Sequence, residues 1–185
     1  MRVVVGISGA SGAPYAIRLL EVLSAAKVSL SVVLSSTAEQ VIAHECQLDV
    51  RKLGHPIFEG RDYNAPFASG SSAPDAMVII PASMSSVAKV AHGISDNLLT
   101  RAADVALKEK KKLIMVPREM PYSEVHLSNL LTLAKLGVMV MPASPSFYGL
   151  PTTIGQLIDT VIGRVCDHLG LPHQLTRRWG TEEKQ

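Results

Sequence analysis

Arg118 and Glu119 stand side by side between Pro117 and Pro121, just after a short apolar run. A guanidinium there suits bidentate recognition of a phosphate, and the carboxylate beside it could donate or accept a proton. The plainer alternative is a surface ion pair. Three other stretches offer hydroxyls and small residues instead of charge: Ser8-Gly-Ala-Ser-Gly12, Ser35, and Ser83-Met-Ser-Ser86. Hydroxyls and backbone N–H groups suit a phosphorylated ligand whose charge is bound mainly by dipoles. Gly6, Gly9 and Gly12 make G-x-x-G-x-x-G, which is neither a dinucleotide fingerprint nor a Walker loop, so neither NAD nor ATP follows by rule. Ser8 to Gly12 reads as an anion-friendly turn or as an ordinary tight one. No G-x-S-x-G elbow is present, which disfavours a serine hydrolase. The six histidines lack ligand spacing and read as capping or surface residues, and no metal site is expected.

The elements that position these groups follow from hydrophobic pattern. Val3–Ile7 is a β-branched run and reads as a strand, followed by a helix from Ala13 to Ala26 with Pro14 in its first turn. Val28–Leu34 is a second strand, with Ser35, Ser36 and Thr37 as candidate caps for a helix to Glu45. This β-α-β-α opening points to a parallel sheet. Residues 46–72 are Pro- and Gly-rich with weak periodicity, predicting a loop-rich excursion with a short helix near Val50. Its end, Tyr63 to Ser72, reads as a wall for a flat or apolar ligand, or as a surface loop anchored by two aromatics. Further strands are predicted at Ala76–Ile80, Leu113–Val116 and Val138–Met141. Helices are predicted up to Gly93, from Asp96 to Glu109, from Ser123 to Leu136 and from Ile154 to Leu169. Lys110 to Lys112 reads as a solvated helix end. In a parallel sheet the four candidate stretches fall at carboxyl ends of strands and share one edge.

A chain of 185 residues fits a single domain, here 1–185 with a polar tail over 172–185 and Trp179 as its one candidate anchor. It is 47% apolar but 4% aromatic, and its net charge of +2 gives no reason to expect nucleic acid or a membrane. Cys46 and Cys166 read as buried and reduced in a cytoplasmic protein, and the high apolar fraction predicts an oligomer.

The motifs taken together resemble the UbiX/Pad-type flavin prenyltransferases along essentially the whole chain. They are Gly6 to Gly12, Ala68 to Ser71, Pro81-Ala-Ser83, Asp96 to Asp104, Leu107-Lys-Glu109, Val116 to Glu119 and Phe147-Tyr148. The resemblance implies a flavodoxin-like, Rossmann-type three-layer α/β fold with a central, mostly parallel sheet, assembled as a homododecamer. It implies reduced FMN as acceptor of a dimethylallyl group from dimethylallyl monophosphate, without a metal. The group joins N5 and then C6, and the prenylated FMN serves a UbiD-type decarboxylase, as in ubiquinone biosynthesis. By motif, FMN would meet Gly9, Ala10, Ser11, Ser35, Ser83, Met84, Ser85, Ser86 and Arg118. The prenyl phosphate would meet Lys108, Arg118, Tyr148 and Arg164. Ser11 would manage the N5 proton, and Glu119 would handle protons at the leaving phosphate, with Lys108 assisting. Arg101 matches a family arginine near the site. Tyr63 stands where some members have tryptophan and could cover an allyl cation. The loop from Cys46 to Arg61 is short against some members. Two other readings use the same turns: a flavin-dependent cysteine decarboxylase, kept open by His92 and Asn97, and a non-catalytic FMN-binding protein.

Overall fold

The computed structural model describes residues 1–178 and 180, so the Trp179 anchor lies outside the described residues. The chain divides into two compact units, Met1–Ala143 and Ser144 onward. In the first, apolar runs form strands and the amphipathic stretches between them form helices: β1 (Arg2–Ile7), α1 (Ala13–Ala25), β2 (Ser29–Leu34), α2 (Ala38–Cys46), β3 (Ile57–Glu59), β4 (Ala76–Ala82), α3 (Met84–Ala91), α4 (Leu98–Lys108), β5 (Lys112–Pro117), α5 (Glu124–Lys135) and β6 (Met139–Val140). Ser83, Asn97 and Ser123 cap α3, α4 and α5, whereas Thr37 makes no side-chain cap on α2. The second unit contains α6 (Ile154–Leu169). Thr153 caps α6 by accepting from the Gln156 amide, and Gly170 ends it in the left-handed region.

All six strands pair in parallel in the order β3-β2-β1-β4-β5-β6. The order reverses between β1 and β4, the place where open α/β sheets bind ligands. α1 packs on one face with α2 beside it, and α3, α4 and α5 cover the other, giving the three layers of a flavodoxin-like, Rossmann-type fold. Alternation along the strands sends Met77, Ile79, Leu113 and Met115 toward Leu98, Leu99 and Ala102 of α4. Leu98 and Leu99 are 0% and 2% exposed, and burying each stabilises the unit by about 1.5–3 kcal/mol.

The sheet is wholly parallel and has six strands where sequence predicted five. The extra one is β3, inside the stretch expected to be loop. Three residues on one edge, bonded only to β2, are too few for periodicity to show. β6 is correspondingly shorter than predicted. Of the two readings of the Tyr63–Ser72 stretch, Phe67 fits the anchor: it is 4% exposed and packs edge-on against Phe58 at 5.1 Å, tying the excursion to the core. Cys166 is buried, whereas Cys46 is only half-buried. No helix among the described residues is long and apolar enough to cross a membrane.

Candidate functional site

Ser8 directly follows β1 and is 1% exposed. Its hydroxyl donates to the Pro81 carbonyl at 2.7 Å and accepts from the Ser83 amide at 2.7 Å, and its own amide donates to Pro81 O at 3.2 Å. One small side chain therefore fixes the turn after β1 to the turn after β4. Ser83 then caps α3 through Ser86 N at 3.2 Å.

Between these turns and the end of β2 lies a cavity of about 400 Å³. Gly9, Ser35, Ser36, Thr37, Ser83, Ser85 and Ser86 line it, together with Gly60, Arg61, Lys89 and Asn97. The Ser35 hydroxyl is buried and has no hydrogen-bond partner among the described residues. At Gly9 a Cβ would collide with Thr37 Oγ1, so only glycine lets the backbone run this close.

The amino terminus of α1 is already occupied by a charge from within the chain. Gly12 and Ala13 amides both donate to Glu45 Oε2 at 2.8 Å. The Ser11 hydroxyl also bonds to this carboxylate, and the Arg118 charge acts on it. Burial opposes the charged form, but these bonds and that cation outweigh it and hold the Glu45 carboxyl below its ordinary range. Gly12 sits at φ 114°, with Arg118 Cγ at 3.6 Å from where its Cβ would be. Arg118 Nε donates to the Ser11 carbonyl at 2.8 Å, which lays the guanidinium stem along the turn. Glu119 is half-buried, and one of its oxygens accepts from Met120 N at 3.0 Å. Arg118 thus bonds to the β1 turn rather than to Glu119.

The second unit has its own cavity of about 300 Å³, lined by Tyr148, Arg164, Thr160, Thr176 and Arg177 among others. Arg164 pairs with Asp167 at 2.8 Å, and Asp167 also accepts from Arg178 at 2.8 Å. The His173 side chain is 4% exposed and contacts Asp167 at 3.0 Å, while its Nδ1 accepts from Leu175 N at 3.2 Å, which leaves Nε2 as the donor. The His173 ring is therefore turned into the unit, although the residue as a whole is half-buried. Asp167 is held below the usual carboxylate range: burial acts against it, and the Arg178 and His173 bonds prevail.

The structure thus gathers Gly9, Ser35, Ser83, Ser85 and Ser86 around one cavity, and Tyr148 with Arg164 around the other. Ser11 and Arg118 meet at the α1 terminus. Ala10 is 9% exposed, and Met84, 7% exposed, packs in the core; neither lines the cavity. Lys108 and Tyr63 line neither cavity. Lys108 pairs with Glu109, both close over Gly70. Arg101 donates to the Ala68 carbonyl at 3.1 Å and steadies the excursion. His92 bonds to buried Asn129 at 3.0 Å, and Asn97 caps α4 by accepting from Thr100 N at 3.0 Å, so both have structural employment. Sequence reading missed Glu45, Arg61 and Lys89. Glu45 lies 33 residues from Gly12 at the far end of α2, and no local spacing links them.

A family model described as Flavoprotein matches residues 1–166. The flavin prenyltransferase UbiX of Methanocaldococcus jannaschii is 44% identical over 98% of this chain and 100% of its own length. That of Thermoplasma acidophilum is 46% identical over 97% of this chain and 100% of its own. Among solved structures, a dodecameric FMN-dependent UbiX-like decarboxylase from Escherichia coli O157:H7 superposes with a TM-score of 0.94 at 40% identity, covering 98% of this chain and 100% of the other. AnUbiX (PadA1), in complex with FMN and dimethylallyl pyrophosphate, gives 0.94 at 37% identity, covering 98% of each.

Proposed function

The chain belongs to the UbiX flavin prenyltransferases, and we propose that it transfers a dimethylallyl group from dimethylallyl monophosphate to reduced FMN, with release of phosphate. The observation that carries this reading is the hydroxyl-lined cavity whose Ser35 Oγ lacks a partner, opening beside the Ser11–Glu45–Arg118 cluster. The residues fit a phosphorylated flavin: the cavity is in the size range of cofactor sites, its wall is polar without being crowded, and Gly9 lets a ligand approach the backbone. FMN would be held by Gly9, Ala10, Ser11, Ser35, Ser83, the Met84 backbone, Ser85, Ser86 and Arg118. Bound in reduced form it would supply an electron-rich ring with N5 and C6 as the acceptor positions for the prenyl group.

The chain's own contribution is electrostatic and protonic. Ionising an allylic phosphate separates an allyl cation from a phosphate dianion, and cations with a phenol can stabilise the dianion where a metal otherwise would. Tyr148 and Arg164 offer such a pair in one cavity. Lys108 and Arg118 are further cations for the same phosphate, and a dodecamer of the kind solved for the Escherichia coli relative lets separate copies contribute them. Ser11, bonded to Glu45, is set to take the proton at flavin N5, with the carboxylate as its acceptor. Glu119 gives a proton to the departing phosphate, and Tyr63 covers the allyl cation. The product goes to a UbiD-type decarboxylase. The relative solved with FMN and dimethylallyl pyrophosphate supports a dimethylallyl ester of phosphate as the class of donor; the monophosphate is the member of that class we propose.

Anaerobic incubation of the protein with reduced FMN and dimethylallyl monophosphate, read by mass spectrometry, tests this. A flavin heavier by one prenyl group, with phosphate released, is the expected result; an unmodified flavin refutes it. Glu119→Gln and Arg164→Ala should keep FMN and lose turnover.

A further inference from the structure

The amides at the α1 terminus already hold a carboxylate, whereas the cavity beyond them is lined by two cations, and this decides where an anionic ligand can lie. The amides of Gly12 and Ala13, the obvious seat for a phosphate after β1, are already taken by Glu45, which stays ionised. A phosphate placed there would face a carboxylate. The α3 terminus is partly used as well, because Ser86 N donates to Ser83 Oγ. At the other side of the cavity, Lys89 and Arg61 are the cations among the described residues that line it. Both are drawn to one turn. Lys89 Nζ pairs with Asp96 Oδ2 at 2.7 Å, and Arg61 Nε donates to the Asp96 carbonyl at 3.3 Å. Leu98 N donates to Gly60 O at 2.9 Å, which pins the backbone next to Arg61 against that turn. The buried, unpartnered Ser35 Oγ belongs to the same cavity.

We propose that Lys89 and Arg61, with Ser35, receive the phosphate of FMN, so that the flavin ring is directed toward Ser11 and Glu45. The proposal rests on the FMN reading above and adds two residues to it. Arg61 keeps its hold on the Asp96 carbonyl through Nε and has its terminal nitrogens for the phosphate. Lys89 exchanges or shares Asp96, since an ammonium carries three donors. Charge-assisted bonds of this kind give the phosphate group a discriminating role that ring contacts cannot supply.

The test is equilibrium binding of FMN and of riboflavin, which lacks the phosphate, to full-length protein stripped of flavin, followed by fluorescence quenching. Wild type is compared with Lys89→Met and Arg61→Met. Each substitution is expected to raise the FMN Kd roughly tenfold or more while leaving the riboflavin Kd within about twofold. The ratio of the two affinities within one preparation does not depend on the fraction folded, so a damaged variant still reports. An unchanged FMN Kd in both variants, or a parallel loss of FMN and riboflavin, overturns the proposal. A wild type that takes up neither flavin overturns the FMN reading beneath it, which separates the two failures.

Discussion

Replacing Glu45 by glutamine should destabilise the first unit in a way that pH exposes. The wild-type carboxylate accepts two backbone amides at 2.8 Å and the Ser11 hydroxyl, at the positive end of α1. Glutamine keeps an acceptor oxygen but removes the charge, so the charge–dipole term is lost and the bonds weaken to roughly half. Together these amount to about 1–2 kcal/mol at neutral pH. Because the folded protein holds this carboxyl below its unfolded value, the stabilisation is complete above the unfolded pKa of about 4.3. It is lost as pH falls through the lower, folded value. Urea unfolding followed by far-UV circular dichroism between pH 7 and pH 3, at one fixed protein concentration because an oligomer's stability depends on it, measures the gap. Wild type should exceed Glu45→Gln by that margin at pH 7 and converge with it in acid. Equal stability at pH 7, or a gap that does not close, would refute the assignment of Glu45 as the charged cap of α1.

Ser8→Ala removes a buried hydroxyl with three partners, the Pro81 carbonyl and the Ser83 and Ala10 amides, and should cost about 1–3 kcal/mol in the same urea assay, without altering the slope of the transition. Gly9→Ala should cost a similar roughly 1–3 kcal/mol through the collision with Thr37, and Thr37→Gly introduced beside it should recover part of the loss. The Cys166 thiol is pushed up to about 11 by burial and by Asp167 and Asp159, so iodoacetamide at pH 8 should leave it unlabelled until urea unfolds the protein. Cys46 is raised by burial and by Glu45, so Glu45→Gln should label faster at Cys46 than wild type does, as peptide mass spectrometry can show.

Legibility in the sequence tracked the range of the interactions. α6 runs over the predicted residues, because its cap, its 3.6-residue pattern and its terminal glycine are all local. The edge of strand ends was equally readable: once β1, β2, β4 and β5 are parallel, Ser8, Ser35, Ser83 and Arg118 must lie at one end. β3 was invisible because its pairing with Val32 to Leu34 specifies it, and nothing within Ile57–Glu59 does. Glu45 was read as the last turn of a helix, yet its partners sit two elements earlier. Arg118 and Glu119 show the converse hazard: adjacency suggested a pair, but the guanidinium reaches back to Ser11 across the sheet edge.

The Ser8 latch has a consequence for motion. The Ser83 amide donates to the buried Ser8 hydroxyl, so it exchanges with solvent deuterium only when that bond breaks and the turns after β1 and β4 come apart. Its exchange should report separation of those two turns and should be deaf to fluctuation of Gly60 and Arg61 alone. The two serine-bearing turns of the cavity therefore move as one piece, while its Gly60–Arg61 side is tied separately to the turn at Asp96.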